Sequence, residues 1–210
     1  MNTVKVWDIF VRIFHWTLVG TIIGLYWSGE TCKNLHIYLG YWVICLVLLR
    51  IIWGFIGTKH ALFYDFLYRP STIYDYLRNL IKGNPKHYIG HNPAGGLMII
   101  VMLFTLLVTA FTGLKTLGSD GQGLLANTDS SIFRLAYADD DDEHDDDEPK
   151  YRDGHHQKKQ KNEFWEDIHE SMTNFMILLV IAHIGGVIVS SWIHKENLII
   201  GMITGIKKKE

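Results

Sequence analysis

Four apolar stretches constrain this chain more than any other feature. They run approximately from Ile9 to Trp27, Leu35 to Gly57, Ala94 to Leu114 and Ile168 to Ile193. About 20 helical residues cross a hydrocarbon core of about 30 Å, so each stretch is long enough to span a bilayer. The expected fold is all-α: an integral membrane four-helix bundle forming a single domain over residues 1–210. The average composition hides this pattern, with a mean hydropathy of only +0.09, because the charges are bunched. Nine of the ten residues Asp139–Glu148 are acidic. Without those nine, 20 basic residues face 13 acidic ones, and the formal charge of -2 becomes +7. Beside long apolar segments, that basic excess points to anionic membrane lipid and not to nucleic acid.

The first span is too long for a cleavable signal peptide. Arg12 interrupts its start, and no small-residue cleavage site follows. Cys32 and Cys45 are too few for a disulfide framework. Orientation follows from the basic flanks. Lys5 and Arg12 open the first span. Lys59, Arg69, Arg78, Lys82 and Lys86 lie between the second and third, and Lys207, Lys208 and Lys209 close the chain. With four spans all three groups fall on one side, which the positive-inside rule makes the cytoplasm. Both termini are then cytoplasmic, and the loop from Lys115 to about Trp165 faces outward.

The basic connection carries its own helix signal. Pro70 suits a first helical position and Gly83 a stop, with Ile73, Leu77, Leu80 and Ile81 at helical spacing between them. Too short to span, it reads as an amphipathic helix on the inner membrane surface. By contrast, the segment ADDDDEHDDDEPKYRDGHHQKKQKNE has almost no apolar residues and is expected to be disordered.

Ionisable groups in hydrocarbon cost several kcal/mol without a partner, so histidines within spans need a reason. Four of the eleven histidines lie in or at the ends of spans: His15, His36, His169 and His183. His169 and His183 are 14 residues apart. That is close to four turns, so they share a face at a separation of roughly 21 Å. The topology puts His15 with His183 on the inner side and His36 with His169 on the outer side. Each pair joins two helices, the arrangement that cofactor sites in bundles use. A haem with imidazole on both faces satisfies the ligands and fills the space between helices with an apolar ring. Gly20, Gly24, Gly40, Gly113, Gly185 and Gly186 allow close approach, of a neighbouring helix or of such a ring. Arg50, 14 residues after His36, comes near the inner pair. There its guanidinium can pair with a propionate or snorkel to lipid phosphate.

Several segments together resemble the bacterial four-helix di-haem cytochrome b family, which includes the b-type subunit of nickel–iron hydrogenases and the gamma subunit of formate dehydrogenases. They are VWDIFVRIFHW around His15, LHIYLGYWVICLVLLRIIWGFIG from Leu35, GHNPAGG at Gly90–Gly96, and the run from Phe164 to Gly205. The resemblance covers nearly the whole chain except the acidic loop. It implies two b-type haems with His15, His183, His36 and His169 as axial iron ligands, the first pair on the cytoplasmic side and the second on the periplasmic side. It also implies a bacterial inner membrane location and quinone as a diffusible redox partner. The other partner would be a periplasmic cytochrome c or a dehydrogenase or hydrogenase subunit. His91 in the GHNP segment matches a family motif and is a propionate or quinone contact, or else a cap before Pro93.

The acidic loop departs from the family pattern. With His144, His155 and His156 it offers a docking surface for a basic cytochrome, a weak metal site or simply a solvated segment. No nucleophile–base pair, phosphate loop or zinc pattern occurs, so hydrolysis is not expected and no catalytic residue is named; the paired histidines and the resemblance imply electron relay between quinone and a periplasmic redox partner. Two alternatives remain at this level. One is a metal or proton transporter using the membrane histidines and the acidic loop. The other is a membrane anchor for a redox complex.

Overall fold

The computed structural model describes residues 3–119, 121–125 and 153–208. The acidic run and His144 lie outside the described residues, as do the side chains of His155 and His156. The elements in order are β1 (Thr3–Lys5), α1 (Ile9–Thr31), α2 (Lys33–Ile56), a 3-10 turn (Lys59–Ala61), α3 (Phe63–Phe66), α4 (Pro70–Ile81), α5 (Pro93–Ser119), α6 (Asp153–Ile193), α7 (Leu198–Thr204) and β2 (Ile206–Lys208). Among the described residues, four helical segments are long and apolar enough to cross a membrane: Ile9–Thr31, Lys33–Ile56, Pro93–Ser119 and Glu163–Ile193. The chain is an all-α membrane bundle of four spans.

Two compact units divide it, Met1–Leu107 with Met176–Glu210, and Val108–Phe175. In the first unit all four spans contribute to one core. Val43 and Val47 of α2, Leu103 and Leu106 of α5 and Met176 of α6 are buried, with Phe14, Leu18 and Ile22 of α1 packed against them. Large apolar side chains also point outward, among them Ile13, Ile23, Phe55, Phe104 and Ile188. Water would penalise that exposure, whereas lipid does not, and the helices must then associate through packing.

Local chemistry sets the ends of the helices. Asp8 caps α1, accepting from the Val11 amide at 2.8 Å. Cys32 alone separates α1 from α2, and its amide donates back to the Ser28 carbonyl at 2.9 Å, so the chain reverses in one residue. The two helices then lie close: a β-carbon on Gly24 would stand 3.1 Å from Leu39 Cδ1. Helix α4 begins at Pro70 and is followed by Gly83 at φ 74°, as its sequence signals predict. It buries Tyr76 and leaves Leu77 and Ile81 exposed, the two-sided character expected of an amphipathic helix.

Two features depart from the sequence reading. Residues 153–163, expected to be disordered, belong to α6, which begins at Asp153. Their Gln, Lys and Glu residues are good helix formers, and extending an existing helix needs no new nucleus. The second is a two-stranded antiparallel pairing of the chain ends, Val4 opposite Lys207, followed by a bond from the Val6 amide to the Gly205 carbonyl at 2.8 Å. It holds both ends of the chain at one end of the bundle, as an even number of spans requires. Strands of three residues carry no readable period.

Candidate functional site

His15 lies in the second turn of α1 and His183 in the last third of α6, both near the end of the bundle that carries the paired strands. Their rings face each other with centroids 6.4 Å apart and planes at 55°. Trp16 sets its edge against His15, the ring centroids 5.1 Å apart. The His15 Nδ1 is buried and has no hydrogen-bond partner among the described residues. Buried polar atoms nearly always have a partner, so an unmatched ring nitrogen marks a place built for something else.

Toward the same end of the bundle the second span supplies Arg50, only 3% exposed. One guanidinium nitrogen donates to the Ala61 carbonyl at 3.1 Å, and the Phe63 ring lies 5.2 Å from the charge centre. Its Nη1 is buried with no partner. A guanidinium has five N–H donors and is enriched where carboxylates must be gripped in a plane. The backbone loop before α5 carries His91 between two rings, Trp7 at 4.4 Å and Phe66 at 4.7 Å. Its Nδ1 also has no partner. Burial first, then the charges of Arg50 and Lys207, push the His91 ring down to about 3 from its ordinary value, so it is neutral. The cap before α5 is Asn92, not His91: Asn92 Oδ1 accepts from the Gly95 amide at 2.7 Å.

At the opposite end of the first unit, His36 stands one turn into α2. Its Nδ1–H donates to the Leu25 carbonyl of α1 at 3.1 Å, which puts the lone pair of the neutral ring on Nε2. In the second unit His169 does the same: Nδ1 donates to the Thr109 carbonyl at 2.9 Å, with Thr112 Oγ1 at 3.2 Å. Metal-bound histidines characteristically donate their other nitrogen to a backbone carbonyl in this way. Gly113 makes room for the ring, since a β-carbon there would lie 2.9 Å from His169 Cε1.

The remaining glycines divide. Gly24 is a point of close helix approach, whereas a β-carbon on Gly20, Gly40, Gly185 or Gly186 would meet nothing within 4 Å. Among the described residues, those four make no close helix contact. Sequence reasoning missed the carbonyl of Ala61 as the anchor of Arg50, and the aromatic pair around His91. It missed Asp8 as well, whose carboxylate also accepts from Trp53 at 3.0 Å and Thr58 at 2.5 Å. Asp8 stands directly after Trp7 in the quoted VWD segment, so a local signal for its capping role was present.

A four-span bundle with histidines facing each other across helices defines a class, the multi-pass membrane cytochromes of b type. The chain belongs to the prokaryotic cytochrome b561 family, whose model matches residues 6–205. With its four apolar spans it is a membrane b-type cytochrome. Among curated proteins it is similar to a "Probable Ni/Fe-hydrogenase B-type cytochrome subunit" of Rhizobium leguminosarum bv. viciae, 28% identical over 150 residues, covering 58% of this chain and 62% of that protein. A protein of the same name from Bradyrhizobium diazoefficiens is 30% identical over 152 residues, covering 58% of this chain and 60% of its own length. The chain thus spans about three fifths of the length of the curated relatives it matches. No solved structure matches it.

The residues present fit the haem that the family implies. Two metal–imidazole bonds of about 2.0–2.1 Å, each continued by half an imidazole ring, put ring centres roughly 6 Å apart. The observed 6.4 Å between His15 and His183 agrees. Arg50, with one buried donor left over, fits the carboxylate edge of the same group.

Proposed function

We propose that this chain carries two b-type haems and relays single electrons across a bacterial inner membrane between quinone and a redox partner on the outer side. The rings of His15 and His183 carry this reading, because their separation suits iron ligation. From the sequence we assign His36 and His169 as the other two ligands; each is oriented by a backbone carbonyl within its own unit, which fixes its tautomer. Bound haem supplies a one-electron couple, with axial ligands and burial setting its potential.

The work of the chain is positioning and tuning. Arg50 stays charged in a buried place and holds a propionate of the group at the termini end. His91, neutral and clamped between Trp7 and Phe66, offers a ring nitrogen to a propionate or a quinone oxygen without adding charge. The open space beside Gly20, Gly40, Gly185 and Gly186 is compatible with a macrocycle between helices. The termini are cytoplasmic, following the basic flanks. The names of the curated relatives support a hydrogenase-type partner.

A dithionite-reduced minus oxidised visible spectrum of the purified protein, with haem counted per chain, tests the reading. Two low-spin haems are expected. One should disappear on changing His15 or His183 and the other on changing His36 or His169. Protein without haem, or with a haem count insensitive to these four residues, would overturn it.

A further inference from the structure

A cluster of titratable side chains in the first unit takes no part in the ligand assignment. His87, in the segment before α5, donates through Nε2 to Glu196 Oε1 at 3.2 Å. Lys207 of β2 meets the other carboxylate oxygen at 3.1 Å. The His194 ring stands against that of His87, centroids 5.1 Å apart at 63°. The Lys207 and Glu196 side chains are nearly enclosed, 9% and 13% exposed, whereas His87 at 32% opens the cluster to solvent.

A polar line leads inward from it. The His194 amide bonds to the Ser190 carbonyl at 3.1 Å, so the last turn of α6 carries through to His194. Ser190 and His194 follow His183 by 7 and 11 residues. At about 100° per residue, both lie within roughly 20° of the direction of His183. The buried Tyr76 hydroxyl of α4 faces the buried Ser190 and the Asn92 side chain, without a regular hydrogen bond to either. Asn92 adjoins His91, whose Nδ1 has no hydrogen-bond partner among the described residues.

Imidazole and hydroxyl groups can accept a proton on one side and give one on the other. A tie between chain segments needs only the Lys207–Glu196 pair. Two imidazoles, whose charge changes near neutral pH, add a means of loading protons. Conversion between quinone and quinol moves two electrons and two protons, and an electron relay carries only the electrons. We infer that His87 and His194, held by Glu196, form a proton inlet that Ser190 and Tyr76 continue toward a quinone oxygen beside His91. The inference rests on the quinone reading above. Protons pass inward as quinone is reduced and outward as quinol is oxidised, so one route serves either direction of electron flow.

The test follows haem reduction by a short-chain naphthoquinol in the full haem-loaded protein, against reduction by a viologen radical, which gives an electron and no proton. His87→Ala and Tyr76→Phe are the variants. Each is expected to slow quinol-driven reduction about tenfold or more, because a positioned proton acceptor contributes about 10²–10⁴-fold. The solvent deuterium isotope effect on that rate should rise, viologen-driven reduction should be unchanged, and added imidazole should partly rescue His87→Ala. Quinol rates and isotope effects in both variants equal to those of the unaltered protein would overturn the inlet and leave the quinone reading intact. Equal slowing with quinol and viologen would also overturn it, by assigning these residues a structural role. Unaltered protein whose haem exchanges no electrons with the quinol would overturn the quinone reading, and the inlet with it.

Discussion

Gly113 lies directly against the ring of His169: a β-carbon on it would stand 2.9 Å from Cε1. Real β-carbons do not sustain that approach, and the ring is already held by its bond to the Thr109 carbonyl at 2.9 Å. Gly113→Ala must therefore tilt the imidazole or push the helices apart. The expected outcome is loss of about half the bound haem, or a shift of one haem to high spin, read in the visible spectrum.

Arg50 carries a buried donor without a partner. If Arg50 holds a haem propionate as proposed, replacing it with Met removes a charge that favours the reduced form. One midpoint potential should fall by about 60 mV or more, since about 59 mV equals a tenfold change in a one-electron couple. Lys at this position restores the charge but not the planar fork, so recovery should be partial. A redox titration that superimposes on that of the unaltered protein would remove Arg50 from the cofactor's surroundings.

His91 gives the fold a defined acid sensitivity. Its folded value is near 3 against an ordinary 6.5, with burial the first cause and the Arg50 charge the second. Between those two values the unfolded chain binds a proton that the folded chain refuses, so stability rises with pH across that window. The contribution is whole above about 6.5 and is lost progressively as pH falls toward 3. His91→Gln, neutral throughout, should flatten the fall in thermal midpoint between pH 6.5 and 4 in detergent. An equally steep fall in the variant would assign the acid sensitivity to other groups.

Asp8 ties the start of α1 to the end of α2. Burial raises its carboxyl value, but bonds from Thr58, the Val11 amide and Trp53 outweigh that, leaving it below the usual range. A depressed carboxylate stabilises the fold above its unfolded value and loses that contribution as pH falls through the folded one. Asp8→Ala should cost about 1 kcal/mol from the cap alone, with more from the two severed side-chain bonds. Asp8→Asn should recover much of the cap, since Asn ranks with Asp there. Thermal unfolding of the three proteins in one detergent checks the order.

Much of this architecture is local, and local features are legible. The four spans are long apolar runs, and their existence does not depend on what they pack against. Pro70 and Gly83 bracket α4 because a fixed φ and a positive φ are properties of those residues alone. The common face of His169 and His183 follows from helical period. The reach of α6 back to Asp153 was misjudged because a polar helix extension has the composition of a disordered tail.

By itself, then, the sequence determined the number of spans, the surface helix, the shared face of two histidines and the family. Only the tertiary structure decided the 6.4 Å between His15 and His183, the seat of Arg50 on the Ala61 carbonyl, the clamp on His91 and the pairing of the two chain ends. The reason is physical. A period fixes which face a side chain is on, within one helix. Which partner it meets depends on the rotation, tilt and approach of another helix, and small packing choices such as those at Gly24 and Gly113 set these.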